Sequence, residues 1–107
     1  MDANDFIVVI TTCPNEQEAA QIATTLIEKK FAACVQSNEI HSTYRWKEKV
    51  EIDREIRLMI KTRQWLFDDI SAVIKKESSY DTPEIISLPI ERGSRDYLQW
   101  IKTETLP

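Results

Sequence analysis

The sequence predicts an α+β domain in the order strand, helix, strand, strand, helix, strand, followed by one more helix at the C-terminus. Three observations carry this order. Residues 6–12 form a continuous β-branched run; apolar and charged residues alternate from Val50 to Lys61; and two stretches, at Ala19–Ile27 and Leu66–Ile74, repeat apolar residues at helical spacing.

The run at residues 6–12 is apolar at consecutive positions, which is the mark of a strand covered on both faces. Asn15 and Glu18 form a capping-box pattern, and Ala19, Ile22, Ala23, Leu26 and Ile27 then mark one face of a helix that Lys29 and Lys30 close. Residues 31–36 read as strand, residues 37–41 as a polar break or bulge, and residues 42–46 as strand again. Val50, Ile52, Ile56, Leu58 and Ile60 face one side of the next strand, with Glu51, Asp53, Glu55, Arg57 and Lys61 on the other. Leu66, Ile70, Val73 and Ile74 give a second helix, whose terminal Lys75 and Lys76 suit the negative end of its dipole. Residues 78–83 are a loop, residues 84–90 a short last strand, and Gly93 admits a turn into a helix capped by Ser94. Tyr97, Leu98, Trp100 and Ile101 supply its apolar side. This is the ferredoxin-like βαββαβ sandwich with an extra C-terminal helix, one domain over residues 1–107.

A three-residue hairpin through Lys47, Glu48 and Lys49 places Tyr44 and Trp46 opposite Val50 and Ile52. It also puts Glu48 in a left-handed conformation, at a cost of about 1 kcal/mol. Strands of roughly 15 residues span about 50 Å. A sphere of this chain length is only about 34 Å across. The long β-hairpin therefore overhangs its own domain and exposes Tyr44, Trp46, Val50 and Ile52, which predicts an oligomer interface with other copies of the chain.

Of the 107 residues, 42% are hydrophobic and 30% charged, the range of ordinary globular domains. Eighteen acidic against fourteen basic residues leave a net charge of -4, which excludes nucleic acid as a natural partner. The N-terminal residues carry no positive charge and the run after them is too short to insert into a bilayer, so a cytoplasmic protein with no membrane partner is predicted. The single glycine excludes phosphate-cradling loops. One histidine, His41, and acid pairs that fall on helix surfaces leave no catalytic constellation, so no enzyme is predicted.

Several segments coincide with one family: Cys13-Pro14, Ala32-Ala33-Cys34, Tyr44-Arg45-Trp46, Lys61-Thr62, Tyr80-Asp81-Thr82-Pro83-Glu84 and Tyr97-Leu98-Gln99-Trp100. In this order, over nearly the whole length, the sequence resembles the CutA divalent-cation tolerance proteins. The resemblance implies a tight homotrimer, similar in architecture to the PII signalling proteins. It further implies a role in tolerance of copper or another divalent cation, with that cation as the possible cofactor and no established enzymatic reaction. It places Trp46, Lys61, Tyr80 and Glu84 in a ligand-binding cleft between subunits. Members with a proposed copper site use a cysteine near the end of the first strand and histidines ahead of the Tyr-x-x-Pro-Glu loop. Thr11, Glu77 and Ser78 stand at those positions here, so the soft ligands that bind Cu(I) are missing.

Cys34 and Cys13 are the remaining metal candidates. Each reads first as a free thiol, Cys34 as a small hydrophobe in a strand and Cys13 at a strand end, and a trimer can still bring three copies of one thiol together. His41 has no companion at ligand spacing. Three functions follow as expectations: a trimer that binds metal or a small ligand in its clefts, a PII-like sensor of a small anionic ligand held by Lys61, and a purely structural trimer.

Overall fold

The structure is a computed structural model and describes residues 5–107. Residues 1–4, which carry part of the argument for a cytoplasmic protein, lie outside the described residues. The elements are β1 (Phe6–Cys13), α1 (Glu16–Glu28), β2 (Cys34–Trp46), β3 (Lys49–Arg63), α2 (Phe67–Glu77), β4 (Ile86–Pro89) and α3 (Arg95–Glu104). A short 3-10 turn, Gln64–Leu66, leads into α2. The four strands form one antiparallel sheet in the order β2-β3-β1-β4. The expected α+β order and its C-terminal helix are present.

The alternation in β3 divides the sheet into two unlike faces. Ile56, Leu58 and Ile60, with Ile7, Val9 and Cys13 of β1, face α1 and α2 and build a core with Ile22, Leu26, Ile70 and Ile74. On the other face α3 covers only one end, where Leu98 and Ile101 pack on Phe6. Val8 and Ile10 are left half-buried, and Ile86 and Leu88 beside them are 49% exposed. The double-sided cover expected of β1 is therefore incomplete within one chain.

Three local readings are corrected. First, β2 runs unbroken in register with β3 from Cys34↔Lys61 to Trp46↔Lys49. Ladder bonds to one neighbour do not depend on side-chain polarity, and β2 is an edge strand whose polar residues 36–39 and 41 meet water. His41 thus stands exposed in the strand, opposite Arg54. Second, the hairpin turns through two residues, Lys47 and Glu48, at φ 50° and 69°. That is the φ pattern of the tight turn that matches strand twist, adopted here without the usual glycine. The shorter loop shifts register by one, so Tyr44 pairs with Glu51 and Arg45 with Val50. Tyr44 and Trp46 consequently share the open face, while Val50 and Ile52 lie on the helix-side face beyond the helices, and all four are exposed as expected. Third, Gly93 has no positive φ; it is needed because a Cβ there would lie 2.9 Å from Leu98 Cδ2.

Lys30 is also left-handed, at φ 61°, closing α1 with Phe31 N–H on Leu26 O and Lys30 N–H on Ile27 O. The described chain is 45 Å long against 26 and 21 Å in the other directions, so the ribbon does extend the domain along one axis.

Candidate functional site

The loop after α2 is tied to α1 by the residue expected to complete the capping box. Glu18 N–H donates to Asn15 Oδ1 at 2.8 Å, but the Glu18 carboxylate turns away and accepts from Ser79 N–H at 3.1 Å. Ser78 Oγ in turn accepts the Tyr80 N–H at 3.1 Å. These bonds hold Tyr80 over the open face of the sheet. Its hydroxyl donates to Glu55 Oε2 at 2.6 Å.

Around this contact lies a cavity of about 630 Å³. Its wall is formed by Thr12 at the end of β1, Ser42, Tyr44 and Trp46 of β2, Glu55 of β3, and the loop from Ser79 to Glu84. Tyr44 donates to Asp53, which fixes that wall of the ribbon. Three aromatic side chains and three carboxylates, from Glu55, Asp81 and Glu84, line the cavity, and no lysine or arginine does. Arg57, two residues along β3 on the same face, donates to Asn38 Oδ1 at 3.3 Å. A smaller groove of about 280 Å³ between α1 and β2 is floored by alanines and lacks aromatic walls.

The phenols respond to this setting. The hydrogen bond to Asp53 is the first cause that pushes Tyr44 up to about 12. Burial, then the bond to Glu55, raises Tyr80 further. Both therefore stay neutral donors across the physiological range.

Of the expected site residues, Trp46, Tyr80 and Glu84 meet in this cavity. Lys61 does not: it lies six residues along β3 from Glu55, about 20 Å at strand rise, and donates to Gln36. Glu55 was the residue missed. A charged residue at an odd position of an alternating strand reads as solvated, yet Glu55 is only 8% exposed. Its shared parity with Lys61 and Tyr44's partner Glu51 is the one signal that marked its face.

The metal candidates are dispersed. Cys13 is buried on the helix face, whereas Cys34, paired with Lys61, is on the open face and half-buried. Thr11 is buried on the helix face and its Oγ1 has no partner among the described residues, Glu77 accepts from Thr25, and Ser78 is engaged by Tyr80. Among the described residues no three His, Cys, Asp or Glu side chains converge to hold a metal.

Burial first, then the Glu18 and Glu55 carboxylates, push the Cys13 thiol up to about 11. At pH 8 its thiolate fraction is about a hundredfold below that of a free cysteine. Because a thiolate of higher pKa is also more nucleophilic, Cys13 is expected to react with a disulfide reagent at least about tenfold more slowly than a free thiol until the chain unfolds, as followed by thiol absorbance. The folded-state pKa lies above the ordinary 9.0, so this contribution to stability is complete below pH 9 and lost as pH rises toward 11.

Comparison with known proteins agrees with the fold. The family model for the CutA1 divalent ion tolerance protein matches residues 7–104. Protein CutA of Homo sapiens is 42% identical over 95 residues, covering 88% of this chain and 53% of its own length. The chain thus spans about half the length of that relative. The divalent-cation tolerance protein CutA of Archaeoglobus fulgidus is 41% identical over 98 residues, 92% of this chain and 94% of the relative. Among solved structures, CutA1 from Oryza sativa superposes with TM-score 0.92 at 42% identity, over 95% of this chain and 94% of that one. With nearly every described strand and helix inside the matched segment, the chain belongs to the CutA1 divalent ion tolerance family.

Proposed function

We propose that this chain serves divalent-cation tolerance as a homotrimer of PII-like architecture, without catalysis, by binding a small positively charged ligand in the cavity at Glu55. Neighbouring subunits close the cavity, and the candidate ligands run from copper or another divalent cation to small organic cations. The cytoplasm is its proposed compartment.

The observation that carries this reading is the lining that one chain supplies: carboxylates and aromatic side chains, with no basic side chain among the described residues. Such a surface attracts cations and repels anions. The exposed residues Tyr44, Trp46, Val50 and Ile52, with Ile86 and Leu88 on the sheet, support assembly, because a lone chain would leave all six in water. Soft-ligand copper binding through Cys13 has no support, since that thiol is buried and held neutral.

Calorimetric titration tests the charge preference. Chloride salts of copper(II), zinc and small organic cations are expected to include a ligand that binds once per chain and that Glu84→Gln weakens, with Cys34→Ser unchanged. An organic acid that binds the unaltered chain but not Lys61→Ala would contradict this and support the anion sensor. A purely structural trimer would respond to none.

A further inference from the structure

We infer that the cavity at Glu55 receives a small organic ammonium, a primary amine or quaternary ammonium, rather than a bare metal ion. This rests on the reading of the cavity as a cation site and names the class of cation.

Glu55 is 8% exposed, and Tyr80 occupies one of its oxygens, Oε2. The other, Oε1, has no hydrogen-bond partner among the described residues, and none of the ion pairs among them includes Glu55. Oε1 is not among the buried unpartnered atoms, so it is open to the cavity, where an entering cation can reach it. The lining decides which cation.

Metal ions need several hard or soft donors converging at bonding distance, and no three carboxylate, thiol or imidazole groups converge here. One free carboxylate oxygen suits a single ammonium charge, which needs no coordination shell, better than a metal ion that demands four or more donors. The hydroxyls of Thr12 and Ser42 line the same cavity and offer further acceptors. Tyr44, Trp46 and Tyr80 line the cavity, and aromatic rings attract an ammonium and also pack against its carbon substituents. A volume of about 630 Å³ accommodates a molecule of many atoms, not a single ion.

The test uses the full chain labelled with ¹⁵N, titrated separately with n-butylamine hydrochloride, tetramethylammonium chloride, zinc chloride and sodium butyrate at pH 7. The Trp46 indole N–H and the Thr43 and Thr82 amides report binding. At least one ammonium is expected to shift them saturably, with Glu55→Gln raising its Kd tenfold or more and Glu28→Gln, on the far end of α1, leaving it unchanged. Gln at 55 keeps an acceptor for Tyr80. Should that variant lose native amide dispersion, Glu84→Gln at its exposed position carries the same test, with a Kd raised at least threefold. Zinc shifting these signals in a Glu55-dependent way, with neither ammonium doing so, would overturn the ammonium assignment and leave the cation cavity standing. Butyrate alone binding, or no probe binding, would overturn both.

Discussion

Ile60→Ala is expected to lower the unfolding free energy by about 2–5 kcal/mol. Ile60 is fully buried in β3, with Val9 and Val35 as its cross-strand partners on the helix-side face. Removing three methyl or methylene groups there loses their transfer free energy and leaves a void, because a strand held on both sides cannot move to fill it. Urea denaturation of the variant beside the unaltered chain measures the effect, and a loss below about 1 kcal/mol would show that this layer is loosely packed. For comparison, Glu28→Ala at an exposed helix end should fall within about 0.5 kcal/mol of zero.

The second large effect concerns assembly. Val50→Asp combined with Ile52→Asp is expected to convert the proposed trimer to single chains. Val50 and Ile52 are 64% and 69% exposed in the single chain, on a part of the hairpin that its own helices do not reach. If copies of the chain cover them, each aspartate would have to be buried without a counter-ion, at a cost of several kcal/mol. A penalty of that order raises a dissociation constant more than about a thousandfold. Size-exclusion chromatography with light scattering reads the outcome; an unchanged mass would show that this face of the hairpin is free in the assembly.

How much of this was legible depended on whether one residue or a pairing decided the structure. The β3 alternation reports burial directly, so Ile56, Leu58 and Ile60 were placed on the core face, and Asn15 and Ser94 announce their helices through their own side chains. Loop length is different. With glycine absent from the turn, nothing in Lys47-Glu48-Lys49 shows whether two or three residues turn, and that single step moves Tyr44 and Trp46 to the opposite face from Val50 and Ile52. The polar stretch of β2 misled for a related reason: an edge strand needs no apolar pattern to keep its ladder.

The cavity was half legible. Trp46, Tyr80 and Glu84 stand out as motif residues, but their meeting point is set by Glu55, whose burial comes from the loop folding over it. That loop is held by Glu18, a helix-capping residue by pattern that serves a distant backbone N–H instead. No local signal contains a contact spanning 61 residues. Parity likewise gives the face of Lys61 but not its distance along the strand, which sets it apart from the cavity within one chain.

Light scattering on the unaltered chain at micromolar concentration tests most directly whether the ribbon and the open sheet face are covered by sister chains. The expected mass is three times the 12.5 kDa of one chain, unchanged on dilution. A folded species of 12.5 kDa at that concentration would contradict it.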